Sequence, residues 1–241
     1  MKKIILFASL FFAICIQSCD IIMHDTIKGN GKMTTDNRSV SASSRIKTMG
    51  PFDVEIVIGT QPSVKIDADE NLMPYILVDN QEGRIVVHTK NDVNLSSNNN
   101  LKVTVTVSTV EELELYGNGN ITCNTKITGG NQLKLGIYGN GDAKLDINTP
   151  SVESTIGGNG NILLTGETKN SKIEIDGNGE YKAEGLQAEN AEVHINGSGG
   201  ARLSCSVSLD VHVAGSGDIY YKGSPRISQS ILGSGSIHQI Q

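Results

Sequence analysis

The sequence predicts an all-β fold, and within it a parallel β-helix (β-solenoid) with about 19 residues per coil. A short tag, Gly-Asn-Gly or Gly-Ser-Gly, recurs at intervals of 22, 19, 19, 20, 18 and 18 residues. Apolar residues alternate with polar ones on both sides of the tag, and no segment from Phe52 onward has sustained helical periodicity. A fixed period of this length indicates stacked repeats, because one repeat cannot bury its apolar face alone. The glycines that form the predicted corners are Gly117, Gly119, Gly139, Gly141, Gly158, Gly160, Gly177, Gly179, Gly197, Gly199, Gly215, Gly217, Gly233 and Gly235.

Positions counted from the first glycine of each tag form columns. The residue two positions before it is aliphatic in every repeat, from Leu115 to Ile231. The residues four and six positions after it are mostly apolar, and the residue between them is mostly polar. Each repeat therefore reads as two strands joined at a glycine corner, with alternate side chains facing inward.

The tag itself is predicted to be a structural corner. Its outer glycines need a positive φ or a bend too tight for a Cβ, which only glycine supplies at low cost. The middle Asn or Ser is expected to hydrogen-bond to its copies in the neighbouring coils. A phosphate-binding loop is excluded, since no Gly-Lys-Ser follows and no helical pattern begins there.

The amino terminus predicts export and lipidation. Lys2 and Lys3 precede an apolar run from Ile4 to Ile16, which is too short for a membrane span of about 20 residues. The following Gln17-Ser18-Cys19 completes a lipobox, so residues 1–18 are interpreted as a bacterial lipoprotein signal peptide. In this interpretation Cys19 carries the lipid that attaches the protein to a membrane. The alternative is an ordinary secretion signal cleaved near Ser18.

The remaining chain divides into three segments. Residues 19–45 are rich in Thr, Ser, Asn, Gly and Lys and are predicted to be a flexible tether. Residues 46–110 alternate as short strands, with a turn or single helical turn at Asp69–Tyr75 and a polar loop at Asn94–Asn100. Residues 111–241 contain the glycine-corner repeats.

The net charge argues against one class of function, and the positions of the cysteines argue against a disulfide. A net charge of −6 gives no basic surface for nucleic acid, so no nucleic-acid role is expected. Cys123 and Cys205 both fall on inward positions, four coils apart. That separation is roughly 19 Å, far more than the ~7 Å that a disulfide spans between Cα atoms. Both are therefore predicted to be free, buried thiols.

Three outward-facing groups are candidate sites. Glu174, His194 and His212 share one column on adjacent coils, about 4.8 Å apart, and such a set is able to bind zinc or another divalent metal. The alternative is a solvated outer face.

Tyr116 and Tyr138 form the second candidate site. They precede two consecutive tags, and their stacked rings are the preferred platform for a sugar. The alternative is an ordinary packing ladder. A third row of polar residues follows the tags, either lining a polysaccharide groove or collecting calcium, or capping the turn of the next strand. Its members are Asn120, Asp142, Asn161, Glu180 and Asp218.

Several of these segments resemble a known family. The recurring Gly-Asn-Ile, Gly-Asp-Ala and Gly-Asp-Ile after the tags, and the upstream FDVEIVIG, SVKIDADENL, RIVVHT, LKVTVTV and VEELELYGNGN, are similar to the head GIN domain family. That family, formerly a domain of unknown function, is described as auto-transporter adhesins and is frequent among Bacteroidetes lipoproteins. The resemblance covers residues 46–241. It implies a β-helical fold and an envelope location, and it brings neither a catalytic motif nor a cofactor.

The sequence therefore favours a non-enzymatic, lipid-anchored envelope protein that acts as an adhesin, a glycan-binding protein or a structural β-helix. Its expected partners are the membrane, through the lipid, and a glycan or surface protein. The alternative is a β-helical polysaccharide lyase or hydrolase, which needs converging carboxylates. Asp142, Glu180 and Asp218 lie about two coils apart, which argues against that alternative. The oligomeric state is left open, because a solenoid ends in exposed strand edges unless these are capped.

Overall fold

The computed structural model describes residues 25–241. They form a β-solenoid of about six turns with coils of roughly 20 residues, which confirms the predicted fold class. No helix of the described residues has the length and apolar character needed to cross a membrane.

The described chain contains short strands in its first half and long, bent strands in its second half. The first nine are β1 (Asp25–Lys28), β2 (Met33–Ser39), β3 (Arg45–Met49), β4 (Asp53–Ile58), β5 (Ser63–Asp69), β6 (Ile76–Gln81), β7 (Arg84–Thr89), β8 (Val93–Ser96) and β9 (Lys102–Val107). A single 3-10 turn, Met73–Tyr75, precedes β6. The others are β10 (Glu112–Gly117), β11 (Ile121–Cys123), β12 (Ile127–Thr128), β13 (Leu133–Gly139), β14 (Ala143–Ile156), β15 (Asn161–Gly177), β16 (Glu180–Gly197), β17 (Gly200–Gly215), β18 (Ile219–Lys222), β19 (Arg226–Gly233) and β20 (Ile237–Gln239).

The repeats stack in parallel and in register with their glycine tags. Tyr116 pairs with Tyr138, Gly177 pairs with Gly197, and Gly197 pairs with Gly215 in the next coil. The aliphatic column before the tag is buried from Leu115 to Val213. These inward columns join with the strands of the first half in one continuous apolar core.

The strands of residues 46–110 continue the solenoid, but in an order that differs from the chain order. β3 lies between β7 and β10, and β4 lies between β9 and β11, all in parallel pairs. The chain therefore leaves the coil made by β3 and β4, builds the layer beneath it, and returns above it to begin the repeats. β5 and β6 then pair antiparallel with β9 and β7 and extend the sheet at this end.

The prediction of a flexible tether over residues 19–45 is wrong for residues 25–45. β1 pairs in parallel with β8, and β2 pairs antiparallel with β5 along its whole length. β2 is an edge strand with mostly exposed side chains, so its sequence carries no apolar alternation that would reveal it. β8 also occupies part of the predicted polar loop, and its Leu95 is buried. Residues 1–24, with the predicted signal peptide and Cys19, lie outside the described residues.

The glycine corners behave as predicted. The first glycine of each tag has a φ between +139° and +159°, a region that strains any L side chain. Glycine is required at the third position of the tag for a different reason: a Cβ on Gly141 would overlap the carbonyl oxygen of Gly119 in the neighbouring coil. Glycine is therefore required at both positions, once for backbone conformation and once for close approach of two backbones.

Both described cysteines are free, as predicted. Cys205 is buried, and burial raises the pKa of its thiol. Cys123 is only half-buried, which corrects the expectation that it faces fully inward. It is the last residue of β11, where the longest repeat, of 22 residues, departs from the regular coil.

Candidate functional site

The middle residues of the tags form an amide ladder along the outer surface. The Nδ2 of Asn140 donates to Oδ1 of Asn118 at 2.9 Å, and Asn159 donates in the same way to Asn140 at 2.9 Å. Asn178 continues the ladder with a 3.1 Å bond to Asn159. Each amide hydrogen-bonds to the amide of a neighbouring coil, so these side chains stabilise the corner, as predicted.

The polar row after the tags caps the strands of neighbouring coils. The backbone N–H of Asn161 donates to Oδ1 of Asp142 at 2.9 Å, and that of Ser236 donates to Oδ1 of Asp218 at 2.9 Å. Hydrogen bonds from Ser236 lower the pKa of the Asp218 carboxyl. Glu180 turns to Lys182, with 2.7 Å between its Oε2 and the Nζ. The row is therefore engaged in corner structure, although Glu180 and Asp218 also line one shallow groove of about 270 Å³ with Lys182, Arg202 and Tyr220.

The histidine column has the predicted spacing but not the predicted metal geometry. The rings of His194 and His212 stack with their centroids 4.8 Å apart. Glu174 is bonded to Lys172, with 2.7 Å between its Oε1 and the Nζ, and Nε2 of His194 lies 2.7 Å from Oε1 of Glu192. Each side chain thus lies along its own strand instead of pointing to a common centre. Among residues 25–241 no three His, Cys, Asp or Glu side chains are placed to hold a metal ion, so the predicted metal site is not formed.

The two tyrosines stack as predicted, and a third residue joins them. The ring centroids of Tyr116 and Tyr138 are 4.5 Å apart with an interplanar angle of 18°. The ammonium of Lys47 lies 4.3 Å from the ring centroid of Tyr116, a cation–π contact. Lys47 belongs to β3, which lies outside the repeats, so the columns counted from the glycine tags could not predict its contact with Tyr116.

The Tyr138 ring occupies space that two glycines leave open. A Cβ on Gly136 would lie 2.6 Å from its Cε2, and a Cβ on Gly157 would lie 3.0 Å from its Cδ1. Both tyrosines are half-buried. Burial, and then the negative charge of Glu114, raise the pKa of both phenols, so the two hydroxyls stay protonated at neutral pH.

Tyr138 lines a groove with a cavity volume of about 220 Å³. Arg84 and Glu112 face each other across a 2.6 Å ion pair at one side, and Lys134 and Glu153 are 3.5 Å apart at the other. The pKa of Arg84 is raised by its hydrogen bond to Glu112, so this cation is fixed in its charged form. We call this surface the tyrosine groove; its residues are Arg84, Glu112, Glu114, Lys134, Leu135, Gly136, Tyr138, Glu153 and Thr155.

A larger recess of about 510 Å³ opens where the coil length changes from 20 to 18 residues. The register of β16 on β17 shifts between Ala183 and Gln187, which leaves Glu184, Gly185 and Leu186 as a bulge without partners in β17. Carboxylates and one lysine line the recess, and no aromatic side chain does. It lacks the stacking surface that distinguishes the tyrosine groove.

Comparison with known proteins places the chain in a family. The family described as "Putative auto-transporter adhesin, head GIN domain" matches residues 43–225. The chain belongs to this family. Its head GIN domain thus begins just before β3 and includes the tyrosine groove. The resemblance inferred from the sequence is confirmed.

Solved structures share the architecture of this head GIN domain. A crystal structure of a putative adhesin from Bacteroides fragilis has a TM-score of 0.83 at 23% identity, covering 89% of this chain and 100% of that chain. A putative lipid binding protein from Parabacteroides distasonis has a TM-score of 0.71 at 27% identity, covering 90% and 100%. A putative adhesin from the same organism has a TM-score of 0.69 at 22% identity, with the same coverage. No protein of curated function matches the chain.

The family description indicates an adhesin of the cell surface or envelope and names no enzymatic activity. At these identities the likeness to the two adhesin structures establishes the fold alone.

Proposed function

We propose that this head GIN domain protein is a lipid-anchored, non-enzymatic adhesin of the cell envelope, and that its tyrosine groove binds a glycan. The observation that carries the proposal is the stack of Lys47, Tyr116 and Tyr138 beside paired carboxylates and cations. Sites for polar ligands combine an aromatic or apolar surface with a few oriented polar groups. A sugar ring presents both apolar C–H faces and hydroxyls, so it matches this combination.

The size and charge of the groove suit a short saccharide. Its cavity of about 220 Å³ has room for one sugar ring. Arg84 and Lys134 offer donors to hydroxyl or carboxylate groups of the ligand, and Glu114 and Glu153 offer acceptors. Because both cations and carboxylates line the groove, it fits a neutral or mildly acidic sugar better than a strongly charged polymer.

The lipid anchor is supported by the lipobox at Cys19 and by the position of β1. β1 begins at Asp25, six residues after Cys19, and a chain of that length spans at most about 20 Å. A lipid on Cys19 would hold the end of the solenoid that carries β1 and β8 close to the membrane surface.

Lipidation is tested by changing the acceptor cysteine. We expect Cys19→Ser to abolish incorporation of a fatty-acid label and to move the protein from the membrane fraction to the soluble fraction. Cys15→Ser is the matched control, because Cys15 lies within the predicted signal peptide, and it should retain label and membrane association. Equal labelling of the Cys19→Ser protein and the unchanged protein would contradict the anchor.

Glycan binding is tested with the full chain on immobilised bacterial and host glycans. Removing an aromatic side chain that dominates a binding site costs about 2 kcal/mol or more, so Tyr138→Ala should weaken binding by more than about tenfold. Tyr116→Ala should weaken glycan binding less than Tyr138→Ala, because Tyr116 stacks on the Tyr138 ring and does not itself line the groove.

Tyr220→Ala is the matched control for the glycan experiment. Its ring is also stacked, 5.1 Å from His238 and 4.4 Å from the guanidinium carbon of Arg202, but it lies away from the tyrosine groove. Binding that is unchanged in Tyr138→Ala, or lost equally in Tyr220→Ala, would contradict the proposed site. Release of shortened glycan during the incubation would instead support the alternative of a polysaccharide lyase or hydrolase.

A further inference from the structure

We infer that the outer edge of β19 is an interface for a second copy of this chain, formed by two-fold antiparallel pairing centred on Gln229. β19 pairs with β17 along one edge. Within residues 25–241 no strand pairs with its other edge, so a row of backbone N–H and C=O groups faces outward there. Such an edge is a template for another strand.

The residues of β19 read the same in both directions around Gln229. The run is Ile227-Ser228-Gln229-Ser230-Ile231. In an antiparallel pair with its two-fold axis at Gln229, this residue faces its own copy, Ser228 faces Ser230, and Ile227 faces Ile231. Every facing pair then matches in polarity, which is what an isologous interface requires.

The two isoleucines extend the core columns, and both are only partly covered. Ile227 stacks on Leu209, and Ile231 stacks on Val213, both of which are buried. Ile227 itself is 39% exposed, and Leu232 is 74% exposed. A second solenoid placed end to end would cover both isoleucines, and Leu232 would lie against the apolar stem of Arg226 of the partner.

One of the edge strands at the other end of the solenoid, β2, is built differently. It carries Asp36 at its centre, bonded at 2.8 Å to Arg38 near its end. Charged side chains in mid-strand discourage pairing of an edge with another strand. β19 has its single charge at its first residue, Arg226, so its centre is free of such protection.

The distance between the two ends gives this interface a consequence for adhesion. From Val86 in β7 to Ser230 in β19, the paired residues of one row make eight steps of ~4.8 Å, or roughly 38 Å. If the proposed lipid anchor holds the end with β1, β19 faces away from the membrane, and pairing joins copies on two cells. This consequence rests on the proposed anchor, whereas the pairing itself does not.

The pairing is tested by measuring the mass in solution of the full chain carrying Cys19→Ser, which has no lipid acceptor. We expect a concentration-dependent dimer. Gln229→Lys and Gln229→Glu each place two like charges on the axis, so each variant should raise the dissociation constant at least tenfold. An equimolar mixture of the two variants should dimerise again, since opposite charges then face each other.

Asn178→Lys is the matched control, because it adds the same charge at an exposed position of the amide ladder, far from β19. Gln229 is exposed, so the melting temperature of its variants should stay unchanged at protein concentrations where the unchanged chain is monomeric. A monomer at every concentration, a dimer that persists in Gln229→Lys, or no recovery in the mixture would each overturn the inference.

A single cysteine on the axis tests the register. Facing Cα atoms of an antiparallel pair are about 4.5–5.5 Å apart, within the range of a disulfide. Gln229→Cys should therefore form a covalent dimer under mild oxidation, and Asn178→Cys should not. If β19 instead bound a strand of a different protein, Gln229→Cys would not cross-link to its own copy. Failure of Gln229→Cys to form the covalent dimer would therefore rule out the proposed axis.

Discussion

Replacing Gly141 with alanine is expected to destabilise the solenoid more than any substitution on its outer surface. The new methyl group would overlap the carbonyl oxygen of Gly119 and lie 2.6 Å from Cδ2 of Leu115. The carbonyl cannot move away, because it belongs to the adjacent glycine corner of the stack. Overpacking of a rigid site costs about 1–3 kcal/mol and sometimes more, and we expect the upper end, about 3 kcal/mol.

This prediction is measured by thermal and urea unfolding. A loss of about 3 kcal/mol should lower the melting temperature by roughly 6–12 °C for a chain of this size. Gly200→Ala is the matched control: the nearest atom to a Cβ there is the carbonyl oxygen of Asp218 at 3.3 Å, and the change should cost less than about 1 kcal/mol. Equal melting temperatures for the two variants would show that close packing of the tags is not what requires glycine.

The second large effect is expected at Tyr181, the bulkiest fully buried side chain of the described residues. Its ring lies between Ile162 and Ala201 in the inward column, and its hydroxyl is 3.2 Å from Oγ of Ser171. Tyr181→Ala would leave a cavity and should cost about 3–5 kcal/mol. Tyr181→Phe removes only the hydroxyl and should cost about 1 kcal/mol. If urea unfolding gave the same free energy for both variants, the ring would not be packed as described.

Tyr181 also predicts a loss of stability at high pH. Burial raises its pKa to about 12, whereas an unfolded tyrosine titrates near 10. Between these values the folded state holds the proton more tightly than the unfolded state, so the contribution to stability falls as the pH rises. We expect the free energy of unfolding of the unchanged protein to decline from about pH 10 upward. The decline should be smaller in Tyr181→Phe, and equal declines would contradict the assignment.

The repeat explains why so much of the second half was predictable. A column at a fixed offset from the glycine tag becomes a stack once the coils pair in parallel and in register. Tyr116 above Tyr138, His194 above His212, and Asn140 above Asn118 all follow from that one rule. The inward position of Tyr181 follows from the same columns, although its neighbours are aliphatic or small.

The first half of the chain has no repeat, and part of the structure predicted there from the sequence was wrong. β2 is an edge strand without an apolar face, so it resembles a polar linker. The placement of β3 between β7 and β10 brings together segments that share no repeat. For this reason the contact of Lys47 with Tyr116 depends on tertiary packing alone.

The sequence by itself determined the solenoid, its period, its inward columns and the requirement for glycine at the corners, because a repeat converts spacing along the chain into position in space. Only the tertiary structure decided how the side chains of a column are used. Glu174, His194 and His212 are neighbours by register, yet each binds a partner near its own strand and no metal site forms. Tyr138 instead lies over two glycines and lines a groove with Arg84 from the first half of the chain. Register fixes where a side chain starts. Its direction depends on its contacts, which are made with a residue two positions away for Glu174, His194 and His212 and with other coils for Tyr138.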